Sequence, residues 1–280
     1  MKKYSILSLV FIGLSLLFIA AKKSKTPSFN LSKIEKTFSK VDSNIHASTY
    51  EVSNIQYRTF LKELKAKGDS KSYSIAEVDS VNWRNNTHYL EPFVDYYQGH
   101  PAYANYPVVN ISYEGAQLFC KWLTEKYNNY PKRKFKKVIV RLPTKEEWQK
   151  AALGTMNKAL FPWGGPYVVG KCNFHQIDQV SIHYDKEKNE YKLPKSNNGG
   201  IANNIGDDWL ATSAIDSYEP NTIGIYNMAG NAAEMIQEKG ICCGGSWLSG
   251  GYDVRIEATA NYKHSNVDLG FRFFIEIIEE

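Results

Sequence analysis

The chain has 280 residues, of which 43% are hydrophobic and 22% charged, and carries a formal net charge of +5. This balance is globular, excludes wholesale disorder, and leaves enough chain for one large core or two small ones. Acidic residues are spread throughout, so no face for nucleic acid is expected; the basic run Lys132 to Lys137 reads as a solvated loop.

Two lysines precede an uncharged, mostly apolar run from Tyr4 to Ala21. Residues 1–25 therefore read as an export signal peptide or a retained membrane anchor, and both options stay open. No cysteine follows the run, so lipoprotein attachment is not expected. The remainder is expected to work outside the cytoplasm, in the periplasm, at the cell envelope or secreted. Residues 26–48 are polar and read as a linker, and 49–280 as a single domain.

Ser53 is a plausible cap for a first helix, with Ile55, Phe60, Leu61 and Leu64 at roughly helical spacing and Gly68 as the stop. Residues 69 to 106 read as irregular. Val108, Val109 and Ile111 suggest a short strand. Ser112 then caps a helix with Ala116, Phe119, Cys120 and Leu123 on its apolar face. The pattern repeats: a strand ends at Leu142, Thr144 and Glu147 form a capping box, and Gly154 ends the helix. The FPWGG segment is a turn, residues 175 to 205 read as a surface excursion, and short strands alternate with glycine turns thereafter. Of the four cysteines, Cys242 and Cys243 are adjacent and cannot easily bond to each other. Buried free thiols, or up to two disulfides involving Cys120 and Cys172, are both compatible with the sequence.

The blocks YEVSNIQYRTFL, YPVVNISYEGAQLFCKWL, RLPTKEEWQKAA, FPWGG, IGIYNMAGNAAEM, GGSW and LGFRF follow one another in this order. Together they resemble the formylglycine-generating enzyme, or sulfatase-modifying factor, family. The aromatic segment from Asn82 to Val109 is also similar to a branch of exported Bacteroidetes proteins of gliding motility and type 9 secretion. The resemblance implies an α+β fold, C-type lectin-like, with short mixed sheets, few helices and long loops. It also implies structural Ca²⁺. One site would use the Asn227 side chain, the Gly230 and Ala232 carbonyls and the Glu234 carboxylate. A second would use Asn173, the Phe174 carbonyl, Asp208 and the Leu210 carbonyl. Such a mixture of oxygen donors suits calcium, although Asn and Asp side chains also hold turns by bonding their own backbone.

Family enzymes oxidise a substrate cysteine to formylglycine through Cu(I) held by two cysteines. The corresponding positions here are Ser249 and Val254, and neither side chain supplies the soft thiolate that Cu(I) prefers. Ala233, Gly250 and Asp253 replace a tryptophan, a histidine and a tyrosine of the same neighbourhood, and only Ser246 remains. Cys242 and Cys243 cannot substitute as a pair, because adjacent strand residues face opposite ways. A related branch with a three-histidine iron site is not matched by His46, His88, His100, His175, His183 and His264. Neither copper nor iron is expected.

The sequence is thus expected to encode an exported, non-catalytic binding or scaffold domain. A diverged metal-dependent oxidoreductase is the alternative. The partner would be another envelope protein, a peptide or a glycan, with membrane contact only through an uncleaved leader. Expected contacts are Ser246, Trp247, Leu248, Ser249, Tyr252 and Asp253 in the vacated site, with Trp83, Tyr96, Tyr97 and His100 from the aromatic loop.

Overall fold

Residues 29–85, 90–175, 183–192 and 211–280 are described by the computed structural model. The chain enters through a 3-10 turn, Leu31–Thr37, followed by strands β1 (Phe38–Lys40) and β2 (Ile45–Ser48). Helices α1 (Asn54–Ala66), α2 (Ser70–Ala76), α3 (Phe93–Tyr96) and α4 (Tyr113–Asn128) come next, then β3 (Lys137–Arg141) and α5 (Lys145–Leu153). Strands β4 (His183–Asp185) and β5 (Glu190–Lys192) form an isolated hairpin. The chain ends with β6 (Ala233–Met235), β7 (Ile241–Cys243), β8 (Thr259–Asn261), β9 (Leu269–Gly270) and β10 (Phe274–Glu279).

Two four-stranded sheets organise these elements. The first has the order β1-β2-β10-β3 and is antiparallel. The second has the order β8-β7-β6-β9, with β6 and β9 parallel. The last strand therefore sits between two strands from the start and middle of the chain. Residues 38–48, read from sequence as linker, belong to this sheet; FSK and IHAS are too short to show strand periodicity. Val108 to Ile111 makes no strand. Val108 donates to the Val52 carbonyl (2.7 Å) and Asn110 to that of Asn266 (3.0 Å), with Asn110 at φ 60°. The region read as irregular holds α2, capped by Asp69, whose side chain accepts from Ser72 N.

The helix caps fall where local chemistry puts them. Ser53 with Gln56 and Thr144 with Glu147 form capping boxes, and the Ser112 hydroxyl accepts from Gly115 N. Alternation along β10 divides the core: Ile275 and Ile277 face α1 and α4, in a cluster with Tyr57, Phe60, Phe119 and Trp122. Phe274 faces the other way, against Trp148 and Ala151 of α5 and Ile45 and Ala47 of β2. The outer edge of β3 is covered by α4. Thr124 Oγ1 accepts from Val140 N (2.9 Å), and the Asn128 side chain both donates to and accepts from the Val138 backbone at 2.9 Å. An edge strand whose polar groups are answered this way is a poor template for pairing with another chain.

Candidate binding site

The GGSW loop follows β7, and close packing dictates its glycines. Gly245 has φ 63°, and a Cβ there would lie 2.8 Å from Val254 Cγ1 and 2.9 Å from the Asp253 carbonyl. Val254 is fully buried in a cluster with Phe161, Cys172 and Ala229. Ser249 is bound into its own turn. Its hydroxyl accepts from Ser246 N (2.9 Å), its N–H donates to the Ser246 carbonyl (3.0 Å), and its carbonyl accepts from His175 N (2.9 Å). The two positions that would hold Cu(I) are thus an apolar core residue and a turn hydroxyl. They do not fit the ion.

Beside Ser249 lies a cavity of about 370 Å³. Ser249 and Asp253 form one wall, and the opposite wall runs along β8 and on through Tyr262, His264 and Asn266 to Asp268. Ser246, with no exposed surface, donates its hydroxyl to Asp268 Oδ2 (2.8 Å). Burial raises the Asp268 carboxyl above the usual range, against the lowering effect of that hydrogen bond. Cys242 also lines the cavity; its thiol faces the Ala260 carbonyl (3.5 Å) and is pushed up to about 12, chiefly by burial. Cys243 packs on the opposite side, against Trp148 and Ile236, as strand alternation requires. All four cysteines are free and buried.

The predicted groove is corrected in part. Trp247 is 3% exposed and packs with Trp83, Tyr97 and Val109 in a separate core, with Leu248 against it. Trp83 and Tyr97 are fully buried, whereas Tyr96 is 54% exposed. His100 is exposed and caps a short 3-10 turn by accepting from Ala102 N. Tyr252 is half-buried under the Arg255 guanidinium, 3.6 Å from its ring centre. Aromatic side chains in this loop mainly fill space. The wall from Thr259 to Asp268 carried no signal in the sequence, because its small polar residues resemble any loop.

The region expected to hold calcium is a buried polar network. Arg272 Nε donates to both Glu234 oxygens (2.9 and 2.7 Å), Nη2 donates to Glu234 Oε1 (2.6 Å), and Trp148 Nε1 donates to Glu234 Oε2 (2.7 Å). Arg272 also reaches the Ser48 and Tyr226 carbonyls at 3.0 and 2.8 Å. A second buried carboxylate, Glu51, accepts from Asn227 Nδ2 (2.8 Å) and Asn231 Nδ2 (2.9 Å). Burial raises Glu51 to about 8; Arg272 opposes this, Glu234 adds to it, and the asparagine amides lower it. Gly230 sits so close to Asn173 that an added Cβ would lie 2.2 Å from its carbonyl oxygen. Asn173 donates to the Ala211 carbonyl (2.9 Å) and to Asn231 Oδ1 (3.3 Å). Glu234 therefore faces N–H donors and a guanidinium, and Asn227 turns its amide nitrogen to Glu51. Asn227 Oδ1, buried and without a hydrogen-bond partner among the described residues, is the oxygen the expected first calcium site would use, whereas the Glu234 carboxylate is engaged by Arg272 and Trp148. Asp208 and Leu210 of the second set, and His88, lie outside the described residues, and Phe174 is half-buried beside the Val254 cluster.

Short sheets, long capped loops and a cavity beside the GGSW turn define a domain of the sulfatase-modifying class. Residues 39–277 match the Sulfatase-modifying factor enzyme 1-like domain, and the chain belongs to that family. It is 25% identical over 206 residues to a formylglycine-generating enzyme from Thermomonospora curvata, a match covering 66% of this chain and 56% of that protein. It is 28% identical over 131 residues to the mouse formylglycine-generating enzyme, covering 47% of this chain and 27% of that one. Another relative, inactive C-alpha-formylglycine-generating enzyme 2 of mouse, is 23% identical over 257 residues, 80% of this chain and 72% of that protein. The chain thus spans between about a quarter and about half of the formylglycine-generating enzymes it matches. PvdO from Pseudomonas aeruginosa has a similar fold, with a TM-score of 0.52 and 18% identity over 83% of this chain and 80% of that one.

Proposed function

We propose that this chain is a non-catalytic binding or scaffold domain of the cell envelope, one that engages another envelope protein, a peptide or a glycan over the cavity beside Ser249. The observation that carries this reading is the state of Ser249 and Val254. The first is locked in a turn by its hydroxyl and the second is fully buried among apolar groups. No pair of thiolates converges there, and Cys242 is the one sulfur on the cavity lining among the described residues. Similarity to a relative named as inactive supports the same reading. An open cavity beside Ser249, with the half-buried Asp268 carboxyl on its lining and bonded to the buried Ser246 hydroxyl, supports binding.

The test is a photo-crosslinking residue placed at His264, on the cavity wall, and separately at Tyr184 on the β4–β5 hairpin, which does not line the cavity, in cells making the full chain. A discrete adduct from His264 that is absent from Tyr184 is expected. Equal labelling from both positions, or none from His264, would remove the cavity as the contact site.

A further inference from the structure

The basic run from Lys132 to Lys137 does not stand alone in the fold. Glu35, in the first turn of the described chain, accepts from both the Tyr127 hydroxyl and the Lys134 backbone N–H, which ties the basic loop to the point where the chain enters. Leu31 and Pro131 line one cleft together with Trp122 and Lys126. Phe135 packs against His46, with ring centres 5.7 Å apart. Lys40 stands across from His46 in the β1–β2 pairing, so the Phe135 contact brings the basic loop and the entering segment together. Lys132, Lys134 and Lys136 of the loop and Lys33, Lys36 and Lys40 of the entering segment are all exposed. These six lysines outnumber the acidic groups nearby: Glu35, bonded to the loop, Glu63, paired with Lys126 at 2.9 Å, Glu125, exposed on α4, and Glu279, across from Lys137.

The apolar run ends at Ala21, and seven residues, Lys22 to Ser28, separate it from Phe29. Fully extended, a stretch of that length spans at most about 25 Å. Phe29 itself packs on Trp122, with ring centres 6.0 Å apart, on the same side of the molecule. Whatever surface receives the apolar run therefore lies within reach of the basic face.

We propose that this face, built from the Lys132–Lys137 loop and the entering segment, docks on the surface of an anionic phospholipid bilayer. An apolar anchor and a polybasic patch together are the two signals that hold a protein stably at a membrane, and such a patch acts only within about a Debye length of the lipid charge. Docking fixes the orientation of the domain at the membrane.

The test uses the full chain reconstituted in vesicles of phosphatidylcholine alone or with phosphatidylglycerol, and follows trypsin cleavage in the Lys132–Lys137 loop. Cleavage at Lys186 and Lys188, in the β4–β5 turn, is the internal control. At 0.1 M salt, cleavage of the basic loop should be at least about five-fold slower on the anionic vesicles. At 1 M salt, where the Debye length is about 3 Å, that protection should vanish. The variant Lys33→Glu, Lys36→Glu, Lys40→Glu leaves the loop cleavable and should lose most of the protection. Equal cleavage on both vesicles, or equal protection of the control turn, overturns the proposal. Stronger protection by a single-stranded RNA than by anionic vesicles would also overturn it, in favour of a nucleic acid.

Discussion

Replacing Arg272 by Met tests the buried network most severely. Arg272 and Glu234 are 0% and 1% exposed, so neither charge can turn to water. The substitution removes the guanidinium contacts to both Glu234 oxygens and orphans the Ser48 and Tyr226 carbonyls, leaving only Trp148 Nε1 at 2.7 Å on the carboxylate. Breaking a buried pair by deleting one partner costs about 3–5 kcal/mol, whereas replacing both partners by apolar groups is often nearly neutral. At roughly 2–4 °C per kcal/mol for domains of about this size, Tm should fall by about 6–20 °C. Adding Glu234→Met should recover a large part of the loss, and the double-mutant cycle should give a coupling above about 2 kcal/mol. Urea unfolding followed by tryptophan fluorescence is the assay. A single-variant cost below about 1 kcal/mol, or a double variant less stable than Arg272→Met alone, would refute the reasoning.

In chelator-treated protein, Glu51 should make stability fall as pH rises. Its folded value of about 8 lies above the unfolded carboxylate value, so its contribution is complete below the unfolded pKa and is lost towards pH 8, with a slope of at most about 1.4 kcal/mol per pH unit. Glu51→Gln should flatten that slope in a urea series from pH 5 to 8; an unchanged slope would exclude Glu51 as its source. Trp247→Ala should cost about 3–5 kcal/mol by cavity formation, and Tyr96→Ala less than about 0.5, when both are read by thermal melts; similar costs would contradict the assigned burial. Asn227→Ala should diminish any calcium-induced rise in Tm, because it removes a buried Oδ1 that no other group among the described residues uses; an unchanged rise would exclude Asn227 as a calcium ligand.

What could be seen in the sequence was local. Ser53, Ser112 and Thr144 announce their helices because a cap acts within one turn, and the Cys242/Cys243 alternation follows from strand geometry alone. Strands β1 and β2 escaped because three or four residues cannot display a period, and their place beside β10 is a long-range pairing. Trp247 and Tyr97 suggested a binding surface because sequence shows an aromatic side chain but not the ring packed over it. The Arg272–Glu234 pair joins two blocks that were noticed separately, and only tertiary folding brings them together. The Asp268 wall of the cavity was missed for a related reason: its polar residues become a site only when β8 is laid against the GGSW turn.

The most direct measurement is incubation of the full chain with Cu(I), O₂, reductant and a cysteine-containing sulfatase-derived peptide, with aldehyde formation followed by mass spectrometry. With Val254 buried among Phe161, Cys172 and Ala229 and Ser249 bound to Ser246, no aldehyde above the protein-free control is expected. Turnover of the peptide thiol to formylglycine by the unmodified chain would contradict the account.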